Sequence, residues 1–136
     1  MTKVLLATDA DWVADDVDAA LGDTETEMHR VRRGLDVLPA VQQLQPDLVV
    51  LDLQIGNMGG VAASLALRQE EDEDRIDTVA ILILLDRMAD VFMAQTARAD
   101  GWMVKPLDAF RLRRAANTVL EGGTWYEGFE ERAPTG

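Results

Sequence analysis

The sequence has 136 residues, of which 25 are acidic and 13 basic, so its formal net charge is −12. This length predicts one domain, and the 48% apolar content supports a hydrophobic core, which excludes wholesale disorder. The absence of cysteine excludes disulfides and thiolate metal sites, the single histidine excludes multi-histidine metal centres, and the negative charge argues against direct nucleic-acid binding.

No apolar run approaches the roughly 20 residues of a membrane span, so we expect a soluble cytoplasmic protein. Short apolar runs predict strands at 4–7, 28–31, 48–51, 79–85 and 102–104. Apolar residues at helical spacing predict helices at 11–21, 35–44, 61–69, 88–99 and 107–120. The alternation predicts an α/β fold, a doubly wound five-stranded parallel sheet with helices on both faces.

The pattern predicts one domain over residues 1–121, followed by a C-terminal tail, residues 122–136, that is too short for a second domain. Trp125, Tyr126 and Phe129 of this tail are three of the seven aromatic residues in the chain. Two alternatives explain that density. The rings fold back over the domain, or they anchor on another protein, because aromatic anchors are frequent interface hot spots.

Polar residues follow three of the predicted strands, namely Asp9, Asp52 and Lys105. The carboxyl ends of parallel strands line the ligand crevice of an open sheet. Two carboxylates at that edge would bind a hard divalent cation through oxygen. A carboxylate can also attack phosphorus while a lysine neutralises the phosphoryl charge. Each residue alone fits a turn, a cap or the surface, whereas the three together indicate a functional site.

The segments DLVVLD at 47–52 and GWMVKP at 101–106, together with Gly60, resemble motifs of response-regulator receiver domains of two-component signalling. The resemblance covers about residues 3–121. It implies a flavodoxin-like strand order 2-1-3-4-5, with Asp52 as the phosphoacceptor and Lys105 as its phosphoryl contact. It also implies Mg²⁺ held by Asp9, Asp52 and the backbone carbonyl of Gln54, a signalling role without enzymatic activity, and a histidine kinase as a possible partner.

Four positions depart from the family pattern, one of them being Gly56, where the family often has Pro. Thr8 stands where receivers usually carry a second acidic residue, so we expect weak Mg²⁺ binding. The usual hydroxyl at the end of the fourth strand falls on Ile83 or Leu85, depending on the gap, and neither supplies one. Trp102 replaces the usual Tyr or Phe switch residue, and it either rotates or stays as a fixed, partly buried core residue.

The resemblance implies a stand-alone receiver-like protein that acts through protein contacts. The expected contact surfaces are the C-terminal tail and the face of the fourth helix, fifth strand and fifth helix. Two variants remain open: Asp52 accepts a phosphoryl group, or the domain is a degenerate docking subunit, which the departures favour.

A different class of function is an aspartate-nucleophile phosphatase of haloacid-dehalogenase type that uses Asp9 and Asp11. The further acidic pair and the cap domain of that family are not found in the sequence. The simpler expectation for Asp11 is that it caps the first helix.

Overall fold

The computed structural model describes residues 1–56 and 58–128, and its centre is a parallel sheet. The strands are β1 (Thr2–Ala7), β2 (Thr26–Val31), β3 (Leu48–Asp52), β4 (Ala80–Leu85), β5 (Gly101–Val104) and β6 (Trp125–Tyr126). They lie in the order β2-β1-β3-β4-β5-β6, and every pairing is parallel. The predicted doubly wound sheet with order 2-1-3-4-5 is confirmed, and β6 adds a short sixth strand to the predicted five.

Five α-helices cover the two faces of the sheet. They are α1 (Asp11–Leu21), α2 (Val37–Leu44), α3 (Gly60–Asp72), α4 (Val91–Ala94) and α5 (Ala109–Leu120). Successive strand residues face opposite sides, because the side-chain period of a strand is two. Leu5 and Ile81 belong to the core layer that contains α2, α3 and α4 residues, whereas Leu6 and Leu82 belong to the layer with α1 and α5. None of the helices within the described residues is long and apolar enough to cross a lipid bilayer.

The fourth helix is shorter than the pattern at 88–99 predicts. A 3-10 turn at Met88–Asp90 precedes the four residues of α4. Beyond α4, the Thr96 hydroxyl donates to a carbonyl three residues earlier, and Arg98 adopts a left-handed φ of 59°. Arg68 of α3 donates to the Arg98 carbonyl at 2.8 Å. These side-chain bonds compete with helical backbone bonds and keep the segment irregular.

Residues 125 and 126 of the C-terminal tail lie at the edge of the sheet. Trp125 lies opposite Gly101 and Tyr126 opposite Trp102, in parallel register. A Cβ on Gly101 would lie 2.7 Å from the Trp125 carbonyl oxygen, so this close approach requires glycine. For Trp125 and Tyr126, the structure therefore agrees with the alternative in which the rings fold back over the domain. Phe129 lies outside the described residues.

Candidate functional site

A buried carboxylate ends the central strand β3. Asp52 is the last residue of β3, and only 3% of its surface is exposed. Its Oδ1 accepts hydrogen bonds from the Lys105 ammonium at 2.9 Å and from the Gln54 backbone N–H at 3.3 Å. Its Oδ2 accepts one from the Thr8 hydroxyl at 2.7 Å. The ends of β1, β3 and β5 therefore meet at one carboxylate, both of whose oxygens have donors.

Lys105, directly after β5, joins two carboxylates. Its Nζ donates to Asp52 and, at 2.7 Å, to Oδ1 of Asp86, the residue that follows β4. The Trp12 ring centroid lies 5.4 Å from the same Nζ, within the range of cation–π attraction. Burial lowers the pKa of Lys105, but the hydrogen bonds to Asp86 and Asp52 outweigh it and hold the pKa above its usual value. Lys105 is therefore a protonated ammonium at neutral pH.

Thr8 is fully buried at the end of β1, and its side chain donates a hydrogen bond but carries no charge. Its Oγ accepts the backbone N–H of Ala10 at 3.1 Å and donates to Asp52. An ionised carboxylate only accepts hydrogen bonds, so the hydroxyl proton lies between Thr8 and Asp52. The position expected to carry a second acidic residue thus stabilises the Asp52 carboxylate instead of repelling it.

The remaining candidate metal ligands lie near the loop between β3 and α3. Asp9 is exposed, and a Cβ built on Gly56 of that loop would lie 3.6 Å from its Oδ2. Gln54 is in the same loop, with its side chain exposed and its backbone N–H on Asp52. Within residues 1–56 and 58–128, no group of three or more His, Cys, Asp or Glu side chains could hold a metal ion. Two carboxylates and a backbone carbonyl still fit Mg²⁺, which takes one or two carboxylates and keeps several waters.

A family model covers most of the chain, since residues 4–117 match the response regulator receiver domain. The chain belongs to this family. Protein PilH of Pseudomonas aeruginosa is 23% identical over 122 residues, which are 90% of this chain and 100% of PilH. The DNA-binding dual master transcriptional regulator RpaA of Synechocystis is 28% identical over 120 residues, 88% of this chain and 49% of RpaA. The chain thus spans about half the length of RpaA.

The receiver fold is shared with solved structures. One is the receiver domain of the sensor histidine kinase PA1611 from Pseudomonas aeruginosa, described with a magnesium ion coordinated in its active-site cleft. The two folds superpose with a TM-score of 0.77 at 19% identity, over 88% of this chain and 98% of that domain. At this identity the likeness shows the fold, which agrees with the strand order found here.

The end of β4 lacks the hydroxyl expected in a receiver. Leu85 lies opposite Val104, and its carbonyl accepts the backbone N–H of Lys105 at 2.8 Å. This register favours Leu85 over Ile83 as the position expected to carry the hydroxyl, and the Leu85 side chain is fully buried. The following residue is Asp86, whose carboxylate is bound to Lys105.

Trp102, at the expected switch position, is held by the C-terminal tail. It is 5% exposed, and its indole N–H donates to the Glu127 carbonyl at 3.0 Å. Its ring centroid lies 4.3 Å from that of Tyr126. These contacts favour the alternative in which Trp102 is a buried core residue.

Asp11 has a structural role at the surface. Its carboxylate accepts a hydrogen bond from Arg30 at 3.0 Å and lies 3.3 Å from Arg32. The Arg30 hydrogen bond and then the Arg32 charge lower the pKa of Asp11. The predicted capping role is wrong, because α1 has no side-chain cap. The phosphatase hypothesis, with Asp9 and Asp11, is not supported, since Asp11 is paired with these arginines and the chain is a receiver.

Sequence patterns miss two residues next to the site. Asp86 follows the apolar run of β4 just as Asp52 follows β3, so the same strand-end rule could have indicated it. Glu127 gives no local signal, because its partners Trp102, Val104 and Arg111 lie 25, 23 and 16 residues away in the chain.

Proposed function

We propose that this receiver is a signalling module rather than an enzyme, in which Asp52 accepts a phosphoryl group from a histidine kinase. The output of the module is contact with other proteins. The observation that best supports this proposal is the Asp52–Lys105 ion pair at 2.9 Å, whose side chains are 4% and 9% exposed. A carboxylate fixed beside a protonated lysine has the nucleophile and the counter-charge that phosphoryl transfer needs.

In the proposed transfer, a carboxylate oxygen of Asp52 attacks the phosphorus atom of a phosphohistidine. The new O–P bond forms as the P–N bond breaks, and the imidazole keeps the electron pair of the broken bond. The Lys105 ammonium donates to the phosphoryl oxygens, where negative charge develops. The product is an acyl phosphate on Asp52.

Mg²⁺ at this site would be held by Asp9, Asp52 and the Gln54 carbonyl, and it would supply neutralising charge for the phosphoryl group. Thr8 contributes no carboxylate, and ligand charge sets the affinity of a site for a hard cation. We therefore propose weak Mg²⁺ binding.

A second candidate function is docking that does not depend on phosphorylation. Leu85 offers no hydroxyl to a phosphoryl group, and Asp86 competes for Lys105. Trp102 is bonded to Glu127 and stacked on Tyr126. A phosphoryl group on Asp52 would thus lack the donor that usually moves β4 and β5, which favours one docking conformation.

The proposed partner surface is the α4–β5–α5 face together with β6, which lies on the edge of β5. Three arginines of α5 already have contacts within the chain. Arg111 pairs with Glu127 at 2.7 Å, Arg113 donates to the Ala20 carbonyl at 3.1 Å, and Arg114 lies 5.8 Å from the Trp125 ring centroid. Because these arginines are already engaged, we expect a partner to contact β6 itself.

Phosphorylation by phosphoramidate in the presence of Mg²⁺, followed by intact-protein mass spectrometry, tests the first candidate. We expect one hydroxylamine-labile phosphoryl group on the wild type and none on Asp52→Asn. Asp74→Asn, a charge-matched change at an exposed residue after α3, should be phosphorylated normally. Wild-type protein that stays unmodified contradicts the phosphoacceptor role.

Affinity capture with the wild type and Asp52→Ala separates the two candidates. A partner captured equally by both proteins supports docking independent of phosphorylation. A partner lost with Asp52→Ala supports the phosphorylated regulator.

A further inference from the structure

Two side chains bind the backbone on both sides of Lys105. The Glu127 Oε1 accepts the backbone N–H of Val104 at 2.9 Å. The Arg111 Nη2 donates to the carbonyl of Val104 at 2.7 Å and to that of Pro106 at 3.0 Å. Glu127 and Arg111 are themselves joined through Oε2 and Nε at 2.7 Å. We call this ion pair, with its three backbone bonds, the Glu127–Arg111 brace.

The brace lies beyond the regular pairing of β5 and β6. Gly101 and Trp102 are the β5 residues paired with β6, so the Val104 N–H donates to a side-chain oxygen instead of a backbone carbonyl. Glu127 is fixed at this point, because its Oε2 also accepts the Trp125 indole N–H at 3.0 Å. The side chain of Glu127 is 18% exposed, so these bonds are shielded from much of the competing water.

The position of the Lys105 ammonium depends on the position of this backbone. Its ammonium has to reach Asp52 at 2.9 Å and Asp86 at 2.7 Å at the same time. A lysine side chain is long and has several rotatable bonds, so fixing the backbone from which it extends limits the positions that its ammonium can reach. A displacement of about 1 Å is enough to impair a site of this kind. The brace fixes the residues before and after Lys105, and hence the origin of its side chain.

We propose that Glu127 and Arg111 are positioning residues for Lys105, and that they couple the attachment of β6 to phosphoryl binding at Asp52. This inference rests on the proposed phosphoacceptor role of Asp52. Coupling between two sites is reciprocal. A phosphoryl group that keeps Lys105 at Asp52 therefore strengthens the attachment of β6, and a partner that removes β6 weakens phosphoryl binding.

Beryllofluoride, a phosphoryl analogue, measures this coupling in the full chain. We expect Glu127→Ala to bind it about fivefold more weakly than the wild type, a typical size for residues that share one network. Glu127→Gln keeps an oxygen acceptor for Val104 and should fall between the two. Glu121→Ala is the control for charge. Tyr126→Phe is the control for β6, since it keeps the ring and removes the hydroxyl that donates to the Ala99 carbonyl. Both controls should bind like the wild type.

Amide hydrogen exchange supplies the structural readout in the same proteins. We expect beryllofluoride to slow exchange at residues 125–127 of the wild type, and to slow it less in Glu127→Gln. If Glu127→Ala binds beryllofluoride as tightly as the wild type while its β6 amides exchange faster, Glu127 only holds the strand and the inference is overturned.

A measurement without the analogue separates this inference from the proposed function. The ¹⁵N signal of the Lys105 ammonium is observable when its protons are held in hydrogen bonds. We expect the signal in the wild type and in Glu121→Ala, and its broadening or loss in Glu127→Ala. An unchanged signal in Glu127→Ala overturns the positioning role, whereas failure of wild-type protein to bind beryllofluoride contradicts the phosphoacceptor role alone.

Discussion

At Asp52, burial of a charge is compensated by donors from three strand ends. Burying an isolated carboxylate costs folding free energy, and this cost falls when hydrogen-bond donors and an opposite charge surround the carboxylate. Thr8, Lys105 and the Gln54 N–H provide these partners. A second carboxylate in place of Thr8 would add a ligand for a metal ion, but it would also put two negative charges together when the metal is absent. We therefore expect Thr8 to exchange metal affinity for stability of the metal-free site.

Thr8→Asp tests this exchange. We expect the variant to lose about 1–3 kcal/mol of stability without Mg²⁺, because the new carboxylate contacts Asp52 in a buried position. Mg²⁺ should bind the variant more tightly than the wild type and raise its melting temperature by a larger amount. Thr8→Ser keeps the hydroxyl and should behave like the wild type in thermal melts and calorimetric titration. Equal Mg²⁺ affinity in Thr8→Asp and the wild type counts against a metal site shared by Asp9 and Asp52.

The raised pKa of Lys105 predicts a pH-dependent contribution to stability. The folded-state pKa lies above the ordinary 10.5, so the contribution is fully present below that pH and is lost as the pH rises through the folded-state pKa. We expect the difference in unfolding free energy between the wild type and Lys105→Gln to stay constant from neutral pH to about pH 10. It should narrow at higher pH. Urea unfolding across this range measures it, and a difference that widens above pH 10 contradicts the ion-pair assignment.

At the scale of the elements, β6 is the part of the C-terminal tail that contacts both the sheet and α5. Truncation after Gly123 removes the half-buried Trp125 and Tyr126 and uncovers Trp102. We expect a loss of about 2–4 kcal/mol, somewhat below the range for deletion of fully buried aromatic side chains. Truncation after Gly128 leaves β6 in place and is the matched control in thermal denaturation. Unchanged stability with lost partner capture would instead identify the tail as a docking element only.

Arg68 joins α3 to the segment between α4 and β5. Its side chain is 7% exposed and pairs with Glu71 at 2.8 Å and with Asp100 at 2.7 Å. We expect Arg68→Met to cost about 2–3 kcal/mol, below the range for a fully buried pair, because it removes the cation from the largely buried Glu71 carboxylate and the partly exposed Asp100 carboxylate. Arg75→Met, at an arginine that is 59% exposed and also bound to two glutamates, should cost less than about 1 kcal/mol. Chemical denaturation of the two variants checks the difference, and equal losses contradict a special role for Arg68.

The sequence predicts the elements whose pattern is set by local burial and misses those set by distant contacts. The apolar run at 48–51 predicts β3, and the strand ends place Asp52 at the crevice, because burial on both faces leaves a continuous apolar signal. The fourth helix is predicted too long. The hydrogen bond from Arg68 to the Arg98 carbonyl comes from α3, a distant part of the chain, so the local pattern does not reveal it. A two-residue strand such as β6 has no periodicity, so its pairing with β5 becomes visible only in the fold.

At the scale of the whole molecule, we expect few movable groups to connect Asp52, the proposed phosphoacceptor, with the proposed output face. The position beside Asp52 that would carry a hydroxyl holds buried Leu85, and Lys105 is shared with Asp86. On the output side, Tyr126 of β6 packs against Trp102, and the carbonyl of the following Glu127 accepts the Trp102 indole N–H. The chain has the receiver fold, and we propose that the usual route of conformational change is interrupted at both ends.

This interruption predicts that a phosphoryl analogue changes the conformation of the domain very little. We expect beryllofluoride to shift amide resonances in the loops around Asp9 and Asp52, with small shifts at α4, at β5 and at the Trp102 indole N–H. Tightening of β6 through Lys105 is compatible with this result, because it slows exchange without turning the Trp102 ring. The double variant Leu85→Thr with Asp86→Ala restores a hydroxyl and frees Lys105, so its β4 and β5 resonances should shift more than those of the wild type. Large shifts around Trp102 in the wild type would show that the domain switches by a route that needs no hydroxyl on β4.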